Sequence, residues 1–307
     1  RRTVVNGLPT GSAHEVLART ANNTTPGLVI VPTFDPSIDD ATAAAINSAI
    51  SFYESTFLNN ITVNIYYFNQ TDFNGAYNDS TVYTVSYRDF HSALAASSTS
   101  ADDAMAINHT AAGRFNPVNG AANIGISSSL ARALGFANSG GTFQCTSSSP
   151  QYSGDGCIGL NVALLNQDGI LQSSIEHEMD EVLGMISALQ SPDMPTVPFV
   201  WDLFRWAGPG QRSFGLNPST SSPCSSDTPP AYFSIDGGNT DLNDFNNCNN
   251  GSDYGDWITH TPSQVQDATT NHTGSPVLNS KSPETRGLDV MGWTVELKKR
   301  RGQLIAP

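Results

Sequence analysis

Five consecutive residues, His177-Glu178-Met179-Asp180-Glu181, constrain this chain more than any other stretch. On an α-helix, positions i and i+4 lie nearly above one another, so His177 and Glu181 share a face and can grip one ion between them. Glu178 lies about 100° around the helix from His177, placed to act on water rather than to bind the ion. Gly184 follows seven residues after His177 and returns close to the same face. Without a Cβ there, another part of the chain can come close.

The flanking residues predict the helix itself. Ser173-Ser174-Ile175-Glu176 reads as a capping box, with Ser173 as N-cap and Glu176 at the third helical position. Ile175, Met179, Val182, Ile186 and Leu189 recur at steps of four and three, the period of a buried stripe. That stripe and the His177/Glu181 face point in different directions. The expectation is a helix packed on a core while presenting ligands to a cleft.

Charge narrows the partners. The formal net charge is -14, from 28 acidic and 14 basic residues, which argues against nucleic acid and against an anionic membrane surface. No apolar run approaches the roughly 18 residues that would suggest a membrane span. Asn-x-Ser/Thr acceptors for N-linked glycans occur at Asn22, Asn23, Asn60, Asn69, Asn78, Asn108, Asn250 and Asn271, whereas Pro218 excludes Asn217. The four cysteines form two close pairs. Three connectivities are open, and closure of two short loops, Cys145–Cys157 and Cys224–Cys248, is the simplest. Sequons and disulfides together predict a secreted protein, and the Arg1-Arg2 start reads as a mature form.

Along the chain the pattern is mixed α and β. Strands are predicted over 28–34, 61–68, 81–87 and 156–164, and helices over 38–58, 89–97, 101–110 and 128–134. Beyond Leu189 the chain is rich in Pro, Gly, Asn and Asp, with few helical patterns. The organisation expected is an N-terminal extension (1–27), a subdomain ending in the motif helix (28–190), a loop-rich subdomain completing the cleft (191–295) and a basic tail (296–307).

This order resembles the zincin fold, in which an edge strand lines a cleft above an HExxH-type helix. Several segments are similar, in order, to an uncharacterised and mainly bacterial family of secreted metalloproteases. They are Asp155-Gly156-Cys157-Ile158-Gly159, the motif through Gly184, Asp202-Leu203-Phe204-Arg205-Trp206, Tyr232-Phe233-Ser234-Ile235-Asp236-Gly237-Gly238, Asp253-Tyr254-Gly255-Asp256-Trp257 and Leu288-Asp289-Val290-Met291-Gly292-Trp293. With a weaker match at Thr33-Phe34-Asp35, the resemblance spans about residues 28 to 293. It implies an α+β, metzincin-related fold with a mixed sheet, and zinc-dependent hydrolysis of a peptide or protein substrate.

The chain departs from that pattern in its ligands. Glutamate replaces the second histidine of HExxH, and Ser187 stands where metzincins place their third ligand. A third donor must therefore come from elsewhere. Asp202 ranks first for its place in the Asp-Leu-Phe-Arg segment, ahead of Asp193, His260 and His272. Met291 suits either a methionine turn beneath the metal or a core gap. Asp236, Asp241, Asp244, Asp253 and Asp256 supply hard oxygen donors that leave room for calcium, although turn chemistry accounts for most of them. Gly-x-Ser-x-Gly, Rossmann and P-loop fingerprints are absent. Two functions remain: a secreted, glycosylated peptidase with Glu178 as general base, or a non-catalytic extracellular glycoprotein, able to self-assemble, on a degenerate scaffold.

Overall fold

The structure is a computed structural model that describes residues 27–138, 140–143, 145, 151–189, 197–214, 230–248, 251–269 and 276–295. These form an α+β fold. In chain order its elements are strand β1 (Val29–Phe34), helix α1 (Asp40–Thr56), strands β2 (Thr62–Asn69), β3 (Ala76–Ser80) and β4 (Val82–Ser86), helices α2 (Tyr87–Ser97) and α3 (Ala101–His109), strand β5 (Asn123–Ser127) and helix α4 (Ser128–Ala133). Then follow strands β6 (Gly141–Phe143), β7 (Tyr152–Gly154) and β8 (Gly156–Leu160), and helices α5 (Val162–Gln167) and α6 (Leu171–Leu183). A 3-10 turn (Val200–Phe204), strands β9 (Arg205–Gly208), β10 (Gln211–Arg212), β11 (Tyr232–Phe233) and β12 (Asn243–Asp244), and helix α7 (Pro283–Met291) complete the set.

The principal sheet has the order β1-β2-β8-β3. β1, β2 and β8 run parallel, and β3 pairs antiparallel with β8 at the edge. Helix α1 connects the first two strands. Asp39 caps it by accepting the Thr42 amide, and Ile46, Ala49, Ile50 and Tyr53 form its buried stripe. Gly156 explains how α6 lies so close on the sheet: a Cβ there would stand 2.8 Å from Val182 Cγ2. A second, antiparallel sheet has the order β10-β9-β11-β12. Trp201, Phe233, Phe245 and Trp257 pack together beside it, with ring centroids 4.9–5.9 Å apart where they meet. One buried cluster runs from Leu28 and Ile30 to Trp293 and draws on both expected subdomains.

Several details differ from the sequence expectations. The motif helix begins at Leu171, before Ser173, and lacks a side-chain cap. Ser173 instead turns its hydroxyl to the Ile170 carbonyl, and Glu176 accepts from Gln172 and the Leu278 amide. Gly184, at φ 125°, ends the helix, so Ile186 and Leu189 lie beyond it. A Cβ on Gly184 would meet Leu130 and Ser127, so α4 is what comes close there. The strand expected over 156–164 stops at Leu160 and gives way to α5. Met291 is the last residue of α7, buried in the main core rather than set in a turn.

The expected Cys145–Cys157 disulfide is not formed: both are free thiols, packed against each other. Hydrogen bonding to Cys145 is the main effect pushing the Cys157 thiol far up, ahead of burial. Cys248 is disulfide-bonded, and Cys224, expected as its partner, lies outside the described residues. So do the sequons at Asn22, Asn23, Asn250 and Asn271, and the ligand candidates Asp193 and His272. Asn69 and Asn108 are exposed and Asn60 is half-buried. Asn78 is fully buried, which overturns its reading as a glycan acceptor in the folded chain. No helix among the described residues is long and apolar enough to cross a membrane.

Candidate metal centre

Helix α6 is buried on every side, although it carries Glu176, His177, Glu178, Asp180 and Glu181. An ionisable group in such a place must be paired, neutralised or bound to a metal. Two of the five serve packing. Asp180 accepts from the Tyr53 hydroxyl at 2.8 Å, and burial followed by the charge of Glu284 pushes its carboxyl well above the usual range. Glu176 is taken by Gln172 and Leu278, as described above.

The other three face one another and the loop following β12. His177 Nδ1 donates to the Val265 carbonyl at 2.8 Å, which leaves the lone pair on Nε2. Nε2 lies 3.3 Å from Glu181 Oε1 and 3.3 Å from Asp256 Oδ1. These three atoms form the one potential metal-binding group of three or more His, Cys, Asp or Glu side chains among the described residues. A fourth polar atom joins them. Gln266 Nε2 stands 3.0 Å from His177 Nε2, 3.3 Å from Glu181 Oε1 and 3.3 Å from Asp256 Oδ1.

These distances test the fit of a metal. A tetrahedral site with bonds of about 2.0–2.1 Å to nitrogen and oxygen requires donors about 3.3 Å apart. Five of the six separations among these atoms are 3.0–3.3 Å, and the carboxylate oxygens of Glu181 and Asp256 lie within 4.8 Å of each other. The chemistry of the set agrees as well. Two carboxylates and a neutral imidazole carry two negative charges, which a divalent cation offsets. Burial and then the neighbouring Glu178 push the Glu181 carboxyl up to about 8.

Glu178 is placed beside the donors through β3. Asn78 Nδ2 donates to Glu178 Oε2 at 2.9 Å and also to Glu181 Oε2, while its Oδ1 accepts from Ser80. One amide therefore sets the orientation of both glutamates. The loop bearing Asp256 and Gln266 is held just as firmly. Gln266 N donates to Glu284 Oε1, which also takes Trp257 Nε1, and the Trp257 amide donates to the Gln266 carbonyl. Arg205 holds the segment leading into it, donating to the carbonyls of Asn246 and Tyr254 and to Asn247 Oδ1 beneath the Phe245 ring.

The structure thus brings His177, Glu178 and Glu181 together as the helical spacing requires, but it places Asp202 elsewhere. Asp202 accepts from Ser187 at 2.6 Å and from the amides of Ala188 and Phe199, capping the 3-10 turn. Asp256, not Asp202, is the third acid or imidazole side chain grouped with His177 and Glu181. His260 is likewise engaged away from the centre: its Nδ1 meets Asp267 Oδ1 at 2.7 Å, and that hydrogen bond pushes its pKa up. Asp236 organises its own turn with Ser234, Asn239 and Thr240. Asn78 and Gln266 carried no signal in the sequence, since an amide side chain in a polar stretch announces no ligand.

A cleft of about 350 Å³ is lined by residues close in sequence to these, though by none of the donors themselves. Its walls include Ala76 of β3, Ser174 of α6 and the Asp267-Ala268 pair that follows Gln266. Comparison with protein-family models, curated proteins and solved structures finds no match to this chain.

Proposed function

We propose that this chain is a secreted, glycosylated metal-dependent peptidase of zincin type, with zinc as the metal. The observation that carries the reading is the close meeting of His177 Nε2, Glu181 Oε1 and Asp256 Oδ1, with Glu178 held alongside by Asn78. The antiparallel edge strand β3 beside the motif helix supports the zincin-type fold as part of the same reading. The cleft at Ala76 and Ser174 would admit a peptide or protein substrate.

When bound, the metal would supply Lewis acidity, polarising the scissile carbonyl and lowering the pKa of water. The side chains do the remainder. His177 and Glu181 would hold the metal from one helix face and Asp256 would hold it from the facing loop. The Val265 carbonyl fixes the imidazole tautomer. Glu178 accepts a proton from the attacking water and returns it to the departing amine. A site serving structure alone needs its donors but no additional buried carboxylate, so Glu178 favours hydrolysis.

The non-catalytic scaffold is the second reading. It is favoured by burial: His177, Glu178, Glu181 and Asp256 have almost no exposure to solvent. Metal analysis and peptide cleavage by the natively purified protein and two variants separate the two. For a peptidase, the protein contains one equivalent of metal and His177→Ala loses it. Glu178→Gln keeps the metal while cleavage falls by about 10²–10⁴-fold, the usual contribution of a general base. A metal-bearing wild type that cleaves nothing supports the scaffold, and equal cleavage by Glu178→Gln removes Glu178 from the mechanism.

A further inference from the structure

We infer that Gln266 is a fourth donor, whose carboxamide oxygen closes the metal site in the resting protein and is displaced when substrate enters. The inference rests on the metal reading given above. Three observations carry it. The Gln266 side chain is fully buried, and its terminal amide occupies the fourth corner of the donor set, 3.0–3.3 Å from the other three atoms. Its Oε1 is buried without a hydrogen-bond partner among the described residues. Its backbone is pinned on both sides, by Glu284 and by Trp257, so any movement at the centre falls to the side chain.

The amide's two ends suit two states of the site. In the structure the NH2 group faces an imidazole nitrogen and two carboxylates, all of them acceptors. That orientation turns the donors of the amide toward acceptors. Rotation by half a turn would exchange the atoms, so that Oε1 faces the centre as a neutral oxygen donor and is no longer orphaned. With His177, Glu181 and Asp256 it would make four protein donors, the number typical of a closed site rather than an open catalytic one. The donor set keeps two negative charges, so the buried centre remains balanced with a divalent cation. A neutral carboxamide is also the donor most readily exchanged for a substrate carbonyl, because it leaves no charge behind. Asp267 and Ala268, which follow it, line the cleft, so withdrawal of Gln266 would join the cleft to the centre.

The test uses the full chain, stripped of metal and titrated with Co2+, read by its visible absorption with and without azide from neutral to mildly alkaline pH. The wild type should take up one equivalent and give a spectrum insensitive to azide and to pH. Gln266→Ala should still take up Co2+, but its spectrum should shift with azide and with pH because the fourth position is open to solvent. Gln266→Glu, which restores an oxygen donor, should again be insensitive to both. An azide response in wild type equal to that in Gln266→Ala, or one in Gln266→Glu, overturns the fourth donor and leaves the metal reading standing. Uptake by Gln266→Ala but not by wild type also overturns it, since the amide would then be a plug. Absence of uptake by both, or uptake unaffected by His177→Ala, overturns this inference together with the metal reading.

Discussion

Replacing Asn78 by leucine removes a side chain that serves both Glu178 and Glu181. Leucine shares asparagine's branched four-atom skeleton, although its methyl groups are bulkier than the amide, and it suits a strand at least as well, so β3 should keep its pairing with β8. The hydrogen bonds to Glu178 and Glu181 are lost. Hydrogen bonds to charged groups contribute roughly 1.5–3 kcal/mol each, and the carboxylates left behind are too buried for water to replace them fully. Outer-shell substitutions at metal sites lower affinity or activity about 10–100-fold, equivalent to about 1.4–2.8 kcal/mol. The two estimates overlap for the single bond that bears on a ligand, the one to Glu181. The expected outcome is a metal affinity 10–100-fold weaker, as roughly that range implies, with cleavage reduced further because Glu178 is also released. Competition against a chromophoric chelator measures the first effect, and circular dichroism of the metal-free forms checks the fold. An affinity indistinguishable from that of wild type would refute the claim that Asn78 positions Glu181.

Other expectations follow from single residues. Glycopeptide mapping should find no glycan on Asn78 in the folded protein, whereas exposed Asn108 is free to carry one; occupancy at Asn78 would contradict its burial. Burial, followed by the charge of Asp103, pushes the Asp289 carboxyl up to about 7, from an ordinary value of 3.8. The folded chain therefore keeps a proton there that the unfolded chain releases, and this contribution to stability declines as pH rises from about 4 to about 7. Asp289→Asn should flatten that slope and raise stability at pH 8 by on the order of 2 kcal/mol, after discounting for residual solvent; denaturant melts of unchanged slope would falsify it. In the native protein a thiol reagent should modify half-buried Cys145 and reach buried Cys157 only on unfolding, and peptide mapping that recovers an intact Cys145–Cys157 disulfide would show the thiol assignment to be wrong.

The part of the site set by local geometry was legible in the sequence. His177, Glu178 and Glu181 fall where helical spacing puts them, because a turn of helix is decided within a few residues. Long-range contacts were not. Asp202 looked like a ligand from its segment, yet the Phe199 amide and Ser187 use its carboxylate as a cap. Asp256 read as turn chemistry, and only the closure of its loop over α6 turns it inward. Strand β3 went unseen because Ala76-Tyr77-Asn78-Asp79-Ser80 has a composition typical of turns; pairing with β8 and the demand of two glutamates for an amide make it a strand. Helix α7 was hidden by Pro283, which starts the helix rather than breaking it, and by Gly287, where a Cβ would stand 2.8 Å from the Trp201 ring.

The centre is assembled from two places far apart in the chain: Gln266 lies 89 residues from His177 and 85 from Glu181. Before the loop closes, an unfolded or nicked chain offers only the helical pair, a poor chelator by comparison. A metal bound as proposed would favour the completed form and make loading a checkpoint on assembly. At a free metal concentration of about one hundred times the dissociation constant, that preference would add roughly 2.7 kcal/mol to the folded state. A secreted chain built this way would be resistant to proteolysis once loaded and vulnerable when starved of metal, so its lifetime would register the metal content of its surroundings.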